Sequence, residues 1–567
     1  SVRFEFVADP EGFELGPFTS HQHCWSARIY ERLCELYPTD GPDLVEFNDY
    51  LGEGFVTIQA RRSGHPSLRS THVAVRLHTS LEMIDALDGV TEPDEERRAI
   101  YTLERGSLAF ADELRCPVAE VDDAYVRFYG ESNLAPRTIV PNVVEETETA
   151  AVSAAPEGRT RLLYVGRLQH AKGVAELVEA ATRIEREDWE LTLLGRDTDT
   201  APGGGSMREH LSKLASGHKR IHFRDEVPIE QVLGLIDEHH AVVIPSHWEC
   251  WSSVAREALS RNRPVLAAPR GGLIEAVKAG VSGWLMGGAT TEDVQRAMEL
   301  VLDSRTEIDR MIESHGPLER LNELVRPDQT IEHYRGGGEA PTIADPANVS
   351  VTALVVCSSG AGNVVATLAS LARQERPPDE LLLVCDGFEH LPMHFDPSAA
   401  DLLKLMPAGA GPEACRNAGL DAASGDCVWM IDAGSEVDPT LLARLLAALA
   451  LNPRAAYATA WGSMPDPSAV PLGNYANFVP EHDNAAVAPL VRREVLEHGH
   501  RFEPARGACA GRSFWAALAV DGLHGCVVPE RLVSWAPFSG ACADGTLSAL
   551  AEQARLQRGE PASWLAP

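Results

Sequence analysis

The sequence predicts an α/β protein of three successive domains, each a largely parallel sheet covered by helices. Short apolar runs alternate with segments of helical period, the pattern of β-α-β units. A Gly/Pro-rich stretch, Pro327–Val349, interrupts that alternation, which then restarts. At 567 residues the chain is long enough for several cores.

In chain order, apolar runs at Arg3–Ala8, Asp43–Phe47, His72–Leu77 and Thr138–Val140 read as strands, with Trp25–Leu36 as one intervening helix. These make residues 1–155 a first Rossmann-like domain. The rhythm is clearest over 156–334, with strands expected at Arg161–Gly166, Glu190–Gly195, Arg220–Arg224, Ala241–Pro245 and Pro264–Ala268. Helical patterns lie between them: Val174, Leu177, Val178, Ala181 and Ile184, then Ile229, Val232, Leu233 and Ile236. Ligands of such sheets sit beyond the carboxyl ends of the strands. Residues 335–349 form the linker proper. In 350–567 the expected elements are a strand at Val351–Cys357, a helix around Val364–Gln374, and strands at Glu380–Cys385 and Cys427–Ile431.

Composition narrows the function classes. The net charge of −33 opposes general affinity for nucleic acid or anionic lipid, so neither is expected as a partner. Only five of the 50 basic residues are lysine, and an anionic ligand must be held by a few locally placed cations. No apolar run is long enough to predict a membrane span. Ser1–Asp9 holds two acidic residues and one basic residue and does not read as a signal peptide. The eleven cysteines are scattered without a Cys-x-x-Cys pair, so reduced buried thiols in a cytoplasm are expected. His21-Gln22-His23-Cys24 lacks a second ligand pair and is not taken as a metal site.

Two stretches carry chemistry. "YVGRLQHAKGV" (Tyr164–Val174) places a strand, the turn residue Gly166, then Arg167, then Lys172 as a helix starts. Free N–H groups, the positive end of the helix dipole and two formal cations suit a diphosphate. The plainer reading is a β-α turn with exposed basic residues. "PSHWECWSSVARE" (Pro245–Glu257) follows a strand and sets Glu249 and Glu257 eight positions apart. On a helix that spacing spans ~12 Å, too far for a shared proton or metal ion but suited to two ends of one ligand. The amides of Trp251, Ser252 and Ser253 would open the helix between them and donate to ligand oxygens. Two solvated glutamates flanking a buried tryptophan is the plainer alternative.

Taken in order, these residues resemble the retaining, GT-B-fold glycosyltransferases of family 4. The motifs are Val165-Gly166-Arg167-Leu168, Lys172-Gly173, Pro245-Ser246, Glu249 to Glu257, Glu257-Ala258, Arg263-Pro264-Val265, Gly271-Gly272-Leu273-Ile274-Glu275 and Val281–Leu285. The resemblance implies that Arg167 and Lys172 bind the donor diphosphate and that Glu257 accepts from ribose hydroxyls. Glu249 and the amides after it would hold the donor hexose. "VAVRLHTS" resembles the family strand whose terminal histidine faces the donor sugar, here His78. "PDLVEFNDYLGEG" resembles a cleft-lining segment in which Glu46, Asp49 and Glu53 could meet an acceptor. Asn262-Arg263 stands where the family usually has Gly before Pro-Val. The family's opening strand, Gly-rich loop and helix have no counterpart, and Glu11–Phe18 is a weak substitute.

Residues 350–567 resemble a family 2, GT-A glycosyltransferase, through "VTALVVCSSGAGNVVATLASLARQERPPDELLLVCDG" and "GPEACRNAGLDAASGDCVWMIDAGSEVDP". That fold holds Mg²⁺ or Mn²⁺ through Asp-x-Asp. The triplet here is Asp432-Ala433-Gly434, and Gly511-Arg512 stand where Glu-Asp precedes the Phe514-Trp515 segment. A degenerate GT-A-like domain is expected, serving dimerisation, rigidity or acceptor capture; a live centre using Glu436 and Asp438 is the alternative.

The resulting expectation is a metal-independent, retaining hexosyl transfer from a nucleoside-diphosphate sugar to a glycan or small-molecule acceptor. Glu249, His78, Arg167 and Lys172 would carry the chemistry. Gly166, Trp251, Ser252, Ser253 and Glu257 would complete the donor site, with no cofactor and no metal in that site. A bifunctional enzyme with two live centres and a non-catalytic sugar- or nucleotide-binding protein are the rival readings.

Overall fold

A computed structural model describes residues 18–142, 154–324, 348–358, 364–387, 400–463, 473 and 486–534. The expected strand at Arg3–Ala8, most of the Glu11–Phe18 loop and most of the linker lie outside them. The chain packs as two compact units. Of the described residues, one comprises those within 18–75, 92–112 and 348–534, and the other those within 76–91 and 113–324.

Eighteen strands are described: β1 (Leu44–Asn48), β2 (His72–Arg76), β3 (Glu113–Cys116), β4 (Arg137–Ile139), β5 (Thr160–Val165), β6 (Trp189–Leu194), β7 (Ile221–Arg224), β8 (Ala241–Ile244) and β9 (Val265–Ala267). They continue with β10 (Gly283–Leu285), β11 (Val351–Cys357), β12 (Glu380–Asp386), β13 (Leu402–Met406), β14 (Cys427–Asp432), β15 (Glu436–Val437), β16 (Tyr457–Ser463), β17 (Val487–Arg492) and β18 (Gly525–Ser534).

The second unit holds a six-stranded parallel sheet in the order β10-β9-β8-β5-β6-β7. Leu162↔Ala241 pairs β5 with β8, and Leu162↔Leu191 pairs β5 with β6. Alternate residues serve opposite faces. Leu162, Tyr164, Ala241 and Val243 enter one core with Leu177 and Val178, while Leu163, Val242 and Ile244 enter the other with Ile236, Ala255 and Leu259. Both faces are covered, which is why these strands read as continuous apolar runs. In the same unit β3 and β4 run parallel.

The first unit contains an eight-stranded sheet in the order β13-β12-β11-β14-β17-β16-β18-β15. Its β13-β12-β11-β14 half is parallel, and β17 joins it antiparallel to both β14 and β16. Cores lie on both faces again: Val351, Ala353 and Val355 on one, Leu354 and Val356 on the other. The N-terminal helix runs His21–Leu36, four residues longer than expected, because the Ser20 hydroxyl caps it by accepting from the His23 amide at 3.1 Å. The described cysteines are free thiols, most of them buried. Among the described residues no helix is long and apolar enough to cross a membrane.

Candidate functional site

The order of the six-stranded sheet locates the site. From β5 the chain moves outward to β6 and β7, then returns to the other side of β5 for β8, β9 and β10. The gap between β5 and β8 is therefore the topological switch point, where the loops leaving the two strands diverge and a ligand can enter. The two chemical stretches are the loops after β5 and β8.

After β5, Gly166 takes φ +153°, and the Tyr164 hydroxyl donates to the Arg167 carbonyl at 2.7 Å. A short turn, His170–Lys172, leads to Gly173 at φ +64° and the helix Val174–Arg183. A Cβ on Gly173 would collide with the Pro245 carbonyl, so glycine lets this loop lie against the loop after β8. The His247 amide then donates to the Ala171 carbonyl at 3.0 Å.

That approach brings Lys172 and Glu249 together. Lys172 Nζ lies 2.7 Å from Glu249 Oε1, and the Ser246 hydroxyl donates to the same oxygen at 2.8 Å. Both side chains are largely buried, at 26% and 15% exposure, so the pair is more than a solvated surface contact. Arg167, in the same loop as Lys172, is exposed and makes no ion pair among the described residues. Beneath, His247 Nε2 lies 3.2 Å from Glu176 Oε1. Burial alone would raise the Glu176 pKa, but the hydrogen bond and charge of His247 outweigh it and hold the carboxyl below its ordinary value.

The segment carrying His78 reaches this loop. Trp248 donates its indole N–H to Thr79 Oγ1 at 3.0 Å, and the Cys250 thiol contacts the Leu77 carbonyl at 3.2 Å. Each neighbour of His78 is thus bonded to a neighbour of Glu249. Thr79 sits at φ +113°, an unfavourable conformation for a β-branched residue, and His78 is exposed. Asp88 braces the same region, accepting from the Ala171 amide at 3.0 Å and from the Gln169 side chain at 2.5 Å.

The helix carrying Glu257 spans Ser253–Ser260. Ser252 is its N-cap, and its hydroxyl accepts from the Ala255 amide at 3.3 Å. Its side chain is therefore committed to the protein, while Ser253 is exposed at the helix start. Burial pushes the Glu257 carboxyl above its ordinary pKa, with partial relief from the Arg256 charge. Arg256 stacks 4.9 Å over the Trp251 ring, and burial lowers its pKa to about 10. The Trp251 indole N–H is buried without a hydrogen-bond partner. The Glu249 loop is backed by Gly271 and Gly272; the Gly272 amide donates to the Glu249 carbonyl at 2.8 Å.

Asp88, Trp248 and Arg256 were not singled out from sequence. Asp88 reads as an ordinary helix end, and Trp248 as a buried ring beside a functional residue. Only Arg256, the one cation of its helix and adjacent to Glu257, carried a visible signal.

In the eight-stranded sheet, Asp432 ends β14 with both carboxylate oxygens on Arg416 Nη2, at 2.7 and 2.8 Å. Arg416 also contacts Glu413 at 3.3 Å and lies 5.5 Å over the Phe502 ring. Burial would lower the Arg416 pKa, but the two carboxylates raise it, so the guanidinium stays charged. Gly434 takes φ +97° and donates its amide to Thr367 Oγ1 at 2.8 Å. Asp438 caps Thr440 at 2.9 Å, and Asp386 accepts from the Ala410 and Gly411 amides at 2.8 and 3.1 Å. The divalent cation that the GT-A fold implies does not fit these residues: its one aspartate of the triplet is already paired, and Glu436 lies outside any cluster. Among the described residues no three His, Cys, Asp or Glu are placed to hold a metal ion.

Residues 145–315 match the family model described as glycosyl transferases group 1, and residues 353–469 match that of glycosyl transferase family 2. The glycogen synthase of Mycobacterium tuberculosis is 29% identical over 210 residues, covering 36% of this chain and 49% of that protein. The D-inositol 3-phosphate glycosyltransferase of Geodermatophilus obscurus is 31% identical over 245 residues, 40% of this chain and 53% of that protein. The chain thus spans about half the length of these curated relatives. Among solved structures, sucrose-phosphate synthase from Thermosynechococcus elongatus aligns with a TM-score of 0.44 at 21% identity, over 55% of this chain and 77% of that one. Residues 145–315 are thus similar to group 1 glycosyl transferases, and residues 353–469 to glycosyl transferases of family 2.

Proposed function

We propose that the chain transfers a hexose-type sugar from a nucleoside diphosphate to an acceptor hydroxyl, with retention and without a metal ion, at the loops after β5 and β8. The observation that carries this reading is the 2.7 Å approach of Lys172 to Glu249 at the switch point. The bond from the anomeric carbon to the diphosphate oxygen breaks, and the electron pair leaves with that oxygen. Arg167 and Lys172 meet the charge as it develops, which fixed cations in a dry site do effectively. Glu249, steadied by Ser246, anchors sugar hydroxyls near the electron-poor carbon, and Glu257 takes the ribose. The acceptor oxygen forms the new bond and passes its proton to the departing diphosphate oxygen; His78, held between the Leu77 and Thr79 contacts, faces the donor sugar.

The third domain is a GT-A scaffold that has lost its transferase chemistry. Arg416 holds the one remaining aspartate of the metal triplet, and the second position is a glycine whose amide is bonded inward. The reading of two live centres predicts manganese-dependent turnover that survives Glu249→Gln.

The test is nucleotide release from a panel of UDP-, GDP- and ADP-sugars, with a glucan and an inositol phosphate among the acceptors. Turnover with one donor, abolished by Glu249→Gln and unaffected by chelator, is expected. Neither turnover nor binding with any donor sinks the transferase reading.

A further inference from the structure

The helix Phe55–Arg62 buries seven of its eight side chains, from Phe55 to Arg61. A helix buried all round needs cover on every side. Helices His21–Leu36 and Glu95–Phe110 pack against it, and the remaining cover comes from β18. Phe55, Val56 and Ala60 share one core with Trp461 on β16 and Val527 on β18. Trp461 is 2% exposed and meets Phe18 and Tyr30 edge-on, at centroid separations of 6.0 and 6.5 Å.

The end of this helix is completed in the same way. The Ser63, His65 and Gly64 amides bond the carbonyls of Gln59, Ala60 and Arg61, and leave those of Arg62, Ser63 and Gly64 to donors from elsewhere. Here Asn452 Nδ2 donates to the Arg62 carbonyl at 3.1 Å, and Arg444 Nη1 donates to those of Ser63 and Gly64 at 2.9 and 2.7 Å. A cation at a helix C-terminus is also favoured by the helix dipole. Arg444 and Asn452 lie on and just after the helix Leu441–Leu451 of the third domain, and Glu530 on β18 pairs with Arg444.

The other end of the helix carries the loop Asp49–Gly54. Its amide at Leu51, where φ is +64°, donates to the buried Glu104 carboxylate at 2.9 Å, and the Ser26 hydroxyl ties the Glu53 carbonyl at 2.8 Å. A loop strained at one residue and bonded into buried partners keeps its shape only while the helix behind it is fixed.

We propose that the third domain is the folding partner of the N-terminal segment. Its β16-β18 face covers a helix that the segment cannot bury by itself, its Arg444 and Asn452 side chains hold the turn at that helix's end, and together they steady the loop Asp49–Gly54. Its sheet is kept for this surface, and its former metal position has closed on Arg416.

Hydrogen exchange on the full chain tests this with Arg444→Met and, separately, Trp461→Phe and Trp461→Ala. Amide protection across residues 55–65 is expected to fall at least tenfold in Arg444→Met and in Trp461→Ala, with Trp461→Phe between them and the wild type. Helix Val174–Arg183 should exchange as before, and binding of UDP, GDP or ADP to the Lys172 site should persist. Unchanged protection at 55–65 in both Arg444→Met and Trp461→Ala overturns the proposal. A wild type that binds no nucleotide overturns the transferase reading alone, since the exchange data still report on the seam.

Discussion

The indole N–H of Trp248 donates to Thr79 Oγ1 at 3.0 Å, joining the residue before Glu249 to the residue after His78. The bond spans 169 positions in sequence and fixes a threonine whose φ of +113° is otherwise unfavourable. Trp248→Phe keeps the ring and removes the bond. Stability should fall by roughly 0.5–1.5 kcal/mol in urea titration. Turnover should fall about 10- to 100-fold, with nucleotide affinity nearly unchanged, because small misplacements of catalytic groups are costly.

Lys172 and Glu249 should separate by role when each is neutralised. On the proposed donor site, Lys172→Met would remove a charge-assisted contact to diphosphate and should weaken nucleotide binding by about 10- to 100-fold, read by calorimetry. Glu249→Gln should change nucleotide affinity less than about threefold while cutting transfer by about 100-fold. A Glu249→Gln variant that turns over normally places the sugar elsewhere.

Gly173→Ala introduces a Cβ against the Pro245 carbonyl at φ +64°. A loss of at least ~1 kcal/mol is expected, together with weaker nucleotide binding, since the two loops are forced apart. Gly234→Ala, in the helix Ile229–Asp237 with open space around it, is the matched control and should be neutral or stabilising by up to ~1 kcal/mol.

His240 is buried, accepts the Arg161 amide at 2.9 Å and has its other ring nitrogen 2.7 Å from the Pro156 carbonyl. Burial, then the Arg305 charge, lowers its pKa from 6.5 to about 4. A depressed folded pKa means that the unfolded chain binds the proton first. The stabilisation is complete above pH 6.5 and is lost as pH falls toward 4. Urea midpoints at pH 7.5 and 4.5 should differ less in His240→Asn than in wild type. His524, which burial also holds at about 4, keeps part of the slope in the variant.

Glu257 has the opposite sign. Burial raises its folded pKa above the ordinary 4.5, so its penalty is absent at low pH and grows as pH rises through the folded value. Glu257→Gln should therefore stabilise the ligand-free chain at neutral pH. Nucleotide affinity in wild type should drop as the pH falls through that raised pKa, whereas the variant should be about tenfold weaker and flat with pH.

The six-stranded sheet was legible because both of its faces are buried, which turns each strand into an unbroken apolar run such as Leu162–Val165. Helix starts were less legible. Ser20 moved one helix four residues earlier by a side-chain hydrogen bond, and Ser252 was a cap where its backbone amide alone had been weighed. Local signals of this kind compete with one another, and which one prevails depends on neighbours the sequence does not display.

At the candidate site, the residue types and their order were written in the chain: a glycine turn with Arg167 and Lys172, and carboxylates at 249 and 257. Sequence alone determined these because charge, glycine content and strand-to-helix spacing are local properties. Only the tertiary structure decided that Lys172 reaches Glu249, that Trp248 anchors Thr79, that Arg416 takes Asp432, and that Arg444 bonds the turn after a helix some 380 positions earlier. Each of those pairings depends on where strands lie side by side in a sheet, and strand order follows from the burial of whole faces, which no short stretch of sequence encodes.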